Sequence, residues 1–171
     1  DLDLLRRIAK RGRLRVQISL TTLHPGLARI LEHRAPSPGR RLRTVRRLSE
    51  AGIFTVIFCA PILPWITDHP DDLRRLLRAG RTAGAIDARG GLLHLEPAPR
   101  KTLFPVLRRH FPHLWDSYRR LYSGGRLAPE AERERLRSDF ARIRREAGFA
   151  EGTPEPPGPG PPAGTQLRLP F

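Results

Sequence analysis

Four side chains in the first third of the chain are of types that hold a small polar ligand. They lie in RVQISLTTLHPGLARILEHRAPSP, residues 15–38. Ser19 and Thr21 stand at the end of an apolar run, and Glu32 and Arg34 close the segment that follows. Hydroxyls both donate and accept, a carboxylate accepts from an ammonium, and a guanidinium grips a carboxylate through two parallel bonds. Plainer readings stand beside this one. Thr21 or Thr22 can cap a helix beginning at Pro25. Glu32 and Arg34 can form an exposed ion pair worth well under ~1 kcal/mol. Pro36 and Pro38 argue for more than that, because a proline drives the residue before it out of the helical region. Ala35 and Ser37 are therefore stiffened, and the turn fixes where Glu32 and Arg34 stand.

The elements that must position these groups follow from periodicity. Leu2, Leu4, Leu5, Ile8 and Ala9 have helical spacing. Val16 to Leu20 reads as a strand, and residues 24–31 as a short helix with Pro25 in its first turn. Ser37 opens a further helix, on which Leu42, Val45, Leu48 and Ala51 recur, and Gly52 closes it. IFTVIFCA, residues 53–60, is almost wholly apolar, as a strand covered on both faces must be. Residues 61–68 read as a loop, residues 70–83 as a helix ending at Gly84, and residues 85–95 as holding a third strand centred on Leu92–Leu95. This αβαβαβ order calls for parallel strands with right-handed crossovers. Ligands in such folds sit at the carboxyl ends of the strands. Those ends are Ser19–Thr22, Cys59–Pro64 and His94–Pro97.

Residues 99–149 change character. Two or three arginine-rich helices follow with no strand between them, and Tyr118, Leu121, Tyr122, Leu136, Phe140 and Ile143 supply apolar faces. From residue 150 the run EGTPEPPGPGPPAGT is too rich in proline and glycine to fold and reads as a disordered tail. The expected division is thus 1–98, 99–149 and 150–171.

Charge and cysteine content bound the function. The net charge is +15, and 30 of the 32 basic residues are arginine, which attracts polyanions. A genome favouring Arg, Ala, Gly and Pro codons would leave the same mark. Arg108–Arg109 and Arg119–Arg120, with Tyr118 and Tyr122 interleaved, can grip a phosphate backbone and stack bases, or form a solvated face. The single cysteine, Cys59, excludes an internal disulfide framework and reads as a small buried strand residue. A reducing cytoplasm is the expected home. No window is apolar enough to cross a bilayer, and DLDLLRRIAKRGR has no signal-peptide core. The chain has no methionine and starts in mid-helix, so a fragment is expected. The histidines lack metal-ligand spacing, and Asp68, Asp71 and Asp72 read as a helix cap with acids at its positive end.

The blocks ISLTTLHPGLARILEHRAPSPGRRLRTVRRLSEAGI and CAPILPWITDH carry a resemblance. They resemble the C-terminal half of the spore photoproduct lyase-like, or DNA repair photolyase, branch of the radical S-adenosylmethionine enzymes. That branch reads S-x-T-T, then E-P-R-A-P-S-P-x-x-R-L, A-G-I, and A-P-x-x-P-G-x-x-D. The resemblance implies a partial (β/α) barrel of which strands four to six are present here. It implies a 4Fe–4S cluster held by C-x-x-x-C-x-x-C, which cleaves S-adenosylmethionine to a 5′-deoxyadenosyl radical. It implies a nucleic-acid substrate, an electron donor such as flavodoxin or ferredoxin, and no membrane. By the pattern, Ser19 and Thr21 would touch the ribose or methionine end of the cofactor. Glu32 and Arg34 would orient its amino and carboxylate groups, and Ala60, Pro61 and Leu93 or His94 would line the adenine. No catalytic residue is assigned.

Three departures qualify the likeness. The cluster motif is absent and would lie upstream of Asp1, so this chain alone should be inactive; Cys59 cannot replace three thiolates. His33 replaces a proline, which loosens the turn. Trp65 replaces the glycine after Pro64, and a tryptophan cannot take positive φ cheaply. The loop is therefore expected to bend differently, or Trp65 to pack over a ligand; a half-exposed loop tryptophan is the other reading. The contrasting functional expectations are a non-enzymatic, arginine-rich nucleic-acid-binding domain and a degenerate barrel half kept for interaction.

Overall fold

The computed structural model describes residues 1–152 and 154–157. The remainder of the expected tail lies outside the described residues. The elements are α1 (Leu2–Arg11), β1 (Val16–Ser19), α2 (Pro25–Leu31), α3 (Pro38–Glu50), β2 (Thr55–Ile62), α4 (Pro70–Thr82), β3 (Asp87–Leu92), α5 (Pro97–His110), α6 (Trp115–Leu121) and α7 (Glu130–Glu146), with a short 3-10 turn at Pro112–Leu114. The fold is mixed α/β, built on a small three-stranded sheet in the order β1-β2-β3. Both strand pairs are parallel, so each connection must cross over and carries helices.

Local chemistry explains most boundaries. The Ser37 hydroxyl accepts from the Arg40 amide at 3.4 Å, and Pro38 occupies the first turn of α3, an arrangement that satisfies one orphan donor and removes another. Gly52 and Gly84 end their helices at φ 73° and 95°, backbone angles that a side chain would strain. The cap of α4 differs from expectation. His69, not Asp68, precedes the helix, and its Nδ1 accepts from the Asp71 amide at 3.3 Å.

Two strands are displaced from their expected places. β2 starts at Thr55 and runs through Pro61 to Ile62, beyond the predicted end at Ala60. A proline is tolerated there because the β2–β3 register breaks between Cys59 and Ile62, so Pro61 owes the ladder no N–H. β3 forms at Asp87–Leu92, ahead of the expected centre at Leu92–Leu95. Apolar density pointed to Leu92–Leu95, but of these only Leu92 is in the ladder; Leu93 and Leu95 leave it. The Leu93 amide donates to Ile62 O at 3.0 Å and the Leu95 amide to Arg126 O at 2.7 Å, and both side chains are buried beyond the sheet. The polar, glycine-containing DARGGL pairs instead, because β2 offers it a full edge. The apolar spacing of α1 finds no core: none of its residues is buried, and Leu4 and Ile8 are exposed.

The core has two parts. One packs the sheet against Val45 of α3, Leu73, Leu76 and Leu77 of α4, and Leu136, Phe140 and Ile143 of α7. The helical segment after residue 99 thus shares the core of the segment before it. The other part lies past the carboxyl ends of β2 and β3 and joins Leu63, Leu93 and Leu95 to Leu107, Tyr118 and Tyr122.

The contact between β3 and α7 is close. A Cβ on Gly90 would lie 2.5 Å from the Phe140 ring, whereas one on Gly91 would meet nothing within 4 Å. Gly90→Ala should therefore lower stability in urea unfolding by ~1–3 kcal/mol, as overpacking does. Gly91→Ala should stay within about 0.5 kcal/mol of the parent chain.

Candidate functional site: a cleft at the strand carboxyl ends

The turn that carries Glu32 is organised by an arginine on the next helix. Arg41, in the first turns of α3, donates through Nε to Pro36 O at 3.0 Å, through Nη1 to Ser19 O at 2.9 Å, and through Nη2 to Glu32 Oε2 at 2.6 Å. Its side chain is 12% exposed. All three guanidinium nitrogens are committed, and they join the end of β1, the proline turn and the end of α2. The partner of Glu32 is therefore Arg41 and not the expected Arg34. Arg34 sits on the exposed side of the turn and makes no hydrogen bond or ion pair among the described residues. A guanidinium is suited to this task because its planar fork can serve several acceptors at once.

Above this turn lies a cleft of about 230 Å³. Thr21 enters it from the segment after β1, Leu31 and Glu32 from the end of α2, and Pro61 and Leu63 from the end of β2. Leu93, beyond β3, and Leu103 and Val106 of α5 complete the apolar walls. Four of the expected contact residues, Thr21, Glu32, Pro61 and Leu93, are thus brought together. The other four are not in the lining. Ser19 contributes its carbonyl to Arg41 while its side chain is exposed. The ladder ends at Ser19, so the period-two alternation of a strand does not carry on to Thr21. Ala60 and Arg34 do not line the cleft either. His94 lines a different cleft, between β3 and α7, because successive residues of an extended chain point to opposite sides and Leu93 takes the inner one. Thr22 is buried, and its hydroxyl accepts from the His24 amide at 3.1 Å; the N-cap of α2 is His24, with no side-chain cap bond, so neither Thr21 nor Thr22 caps the helix as expected.

Two tyrosines tie the rim. Tyr118 donates its hydroxyl to Pro64 O, and Tyr122 to Leu93 O, each at 2.9 Å. Both are buried, so neither can stack on a nucleobase. Arg108 lies over the Trp115 ring, 4.3 Å from its centroid, and Arg119 faces Asp116 at 3.9 Å. Burial pushes both phenols up, that of Tyr122 to about 12 from the ordinary 10.

The loop after β2 overturns two expectations for Trp65 and bears out the third, a half-exposed loop tryptophan. Trp65 adopts φ 60°, the left-handed conformation that a glycine would supply and that costs a bulky residue ~1–2 kcal/mol. The loop does not bend around the problem, because its neighbours are fixed on both sides. Leu63 O accepts from the Ile66 and Thr67 amides, and the Leu63 amide donates to Thr67 Oγ1 at 2.8 Å. The indole is 52% exposed and edge-on to Tyr118, 5.7 Å away; it does not cover the cleft.

An uncharacterized protein of Mycobacterium tuberculosis is 34% identical to this chain over 141 residues, which are 82% of this chain and 42% of that protein. An uncharacterized protein of Mycobacterium bovis aligns with the same figures. An uncharacterized protein of Acidianus two-tailed virus is 33% identical over 97 residues, 55% of this chain and 32% of its own length. The chain thus spans less than half the length of the curated relatives it matches. No family model matches the chain, and no solved structure does.

Arg41→Lys keeps the charge but cannot serve three acceptors in three directions. It should lower stability in denaturant unfolding by about 2 kcal/mol, the scale of lost charged hydrogen bonds. Arg34→Lys should change nothing measurable. The tyrosines give a second outcome. A raised folded-state pKa means the unfolded chain ionises first, so their contribution is intact below pH 10 and is lost as pH rises towards 12. Stability followed across that window should fall, and Tyr122→Phe should flatten the fall.

Proposed function

We propose that this chain is the C-terminal part of a radical S-adenosylmethionine enzyme of the spore photoproduct lyase-like branch, and that the cleft over Arg41 holds part of the cofactor. The observation that carries the reading is the convergence of Thr21, Glu32, Pro61 and Leu93 at the carboxyl ends of three parallel strands. The donor set suits the cofactor. The leucines and Val106 offer apolar walls to an adenosyl group, Thr21 offers a hydroxyl, and Glu32, held by one oxygen, keeps the other for an ammonium or a ribose hydroxyl. At about 230 Å³ the cleft encloses only part of such a molecule. Arg41 already spends three of its five N–H donors on Pro36, Ser19 and Glu32.

The cluster does not fit these residues. Cys59 is buried, and burial pushes its thiol far above the ordinary range, away from the thiolate that iron needs. Among the described residues no group of three or more His, Cys, Asp and Glu side chains could hold a metal. Cluster ligands would belong to another part of a longer protein, as the partial coverage of the relatives allows. S-adenosylmethionine, when bound, would supply the radical chemistry; Thr21 and Glu32 would bind and orient it, and Leu31, Leu63, Leu93 and Val106 would keep water from its apolar side. The three strands would then be part of a partial barrel.

The test is calorimetric titration of S-adenosylmethionine into the longer, cluster-loaded protein. Glu32→Gln, which still accepts from Arg41, should weaken binding about tenfold, the worth of one charge-assisted hydrogen bond. Arg34→Lys and Arg43→Lys should leave it unchanged. Absence of binding to the parent protein, or an equal loss in all three variants, would overturn the reading.

A further inference from the structure

On the opposite side of β3 from the cofactor cleft, and independent of it, lies a larger cleft of about 550 Å³ between β3 and α7. Its rim carries four arginines: Arg89 on β3, and Arg133, Arg137 and Arg144 on α7. Its floor is apolar, with Leu92, Leu136 and Phe140. The carboxylates nearby are too few for these cations. Buried Asp87 is shared: Arg144 donates to its Oδ1 through Nε at 3.0 Å and Nη2 at 2.5 Å, and Arg89 Nε stands 3.5 Å from its Oδ2 without forming a hydrogen bond. Glu130 is likewise shared, by Arg133 and, at 3.6 Å, by Arg137, which also meets Glu134. Arg144 is spent, since it also binds Ala150 O and Gly152 O.

Two side chains remain. Their Nε–H groups are buried away from the cleft, but the side chains themselves line it, 35% exposed for Arg89 and 29% for Arg133. Among the described residues Arg89 makes no hydrogen bond and Arg133 bonds only Glu130, so their terminal nitrogens keep donors for a ligand. An acceptor that serves both is anionic and carries several oxygens. The apolar floor below them suits an organic body rather than a bare ion, and the volume is in the range of small-molecule sites. We propose that the cleft between β3 and α7 is a binding site for a phosphate ester, its phosphate held by Arg89 and Arg133 and its organic part resting on Leu136 and Phe140. The phosphate can belong to a free nucleotide or to the backbone of a nucleic acid.

The proposal is tested on the 171-residue chain by phosphorus NMR titration with inorganic phosphate and with adenosine monophosphate, followed by competition with a short single-stranded oligonucleotide. The mononucleotide should bind more tightly than inorganic phosphate. The double variant Arg89→Gln/Arg133→Gln should weaken both about tenfold or more, as loss of charge-assisted bonds does. Arg43→Gln/Arg46→Gln, which removes the same charge from α3, should weaken neither. Arg89→Lys/Arg133→Lys, which keeps the charge, should still weaken binding, and circular dichroism of each variant controls for folding. Displacement of the mononucleotide by the oligonucleotide assigns the site to a backbone phosphate, and failure to displace it assigns the site to a free ester. No binding of either small probe to the parent chain, or equal loss in the β3–α7 and α3 double variants, overturns the proposal.

Discussion

The geometry of the cleft at the strand carboxyl ends hangs on one guanidinium. Arg41 is nearly buried and has an acceptor on each of its three nitrogens. Two of those acceptors are backbone carbonyls, at Ser19 and Pro36, that lie outside any helix or ladder bond and so need a donor of this kind. The third is the one carboxylate of the cleft. Through this fork the end of β1, the proline turn and the end of α2 become a single rigid piece. The two prolines gain a physical role. Pro36 presents its carbonyl to Arg41, and Pro38 starts α3 at the place from which Arg41 can reach back. Without the fork, Glu32 would be an exposed acid on a loose turn.

What the sequence made legible and what it hid divide along a physical line. α3, α4 and β2 were readable because strong local signals agree there: Ser37 and Pro38 at a start, Gly52 and Gly84 at ends, and an unbroken apolar run between. β3 was misplaced because its stability comes from its neighbour. DARGGL has little strand propensity, and it is the open edge of β2 and the fit of Phe140 over Gly90 that select it. In the cleft, Thr21, Pro61 and Leu63 were legible as strand ends, whereas the place of Glu32 and Leu93 beside them came from the resemblance. Arg34 was named because it stands beside Glu32 along the chain, and Arg41 was not considered, although a residue on the following helix returns to the strand it follows. The arginine of the R-L pair that ends the EHRAPSPGRRL block was the signal that could have identified it.

The two sides of the segment after β3 separate two chemistries. Leu93 turns inward to the cleft over Arg41, and His94 turns outward to the arginine-rimmed cleft under α7. The tyrosines keep this partition in register, since Tyr122 binds the carbonyl of Leu93 itself and Tyr118 fixes the loop that strains Trp65. Buried phenols with satisfied hydroxyls are well suited to this, because they bring apolar area and one directed bond together. No helix among the described residues is long and apolar enough to cross a membrane.

The most direct measurement of the central claim is amide hydrogen exchange on the longer, cluster-loaded protein with and without saturating S-adenosylmethionine. The account predicts slowed exchange at Thr21, Leu31 and Glu32, at Leu63 and at Leu93, the residues that converge on the cleft, with little change along α7. Slowed exchange confined to other parts of the chain, or none at saturation, would contradict it.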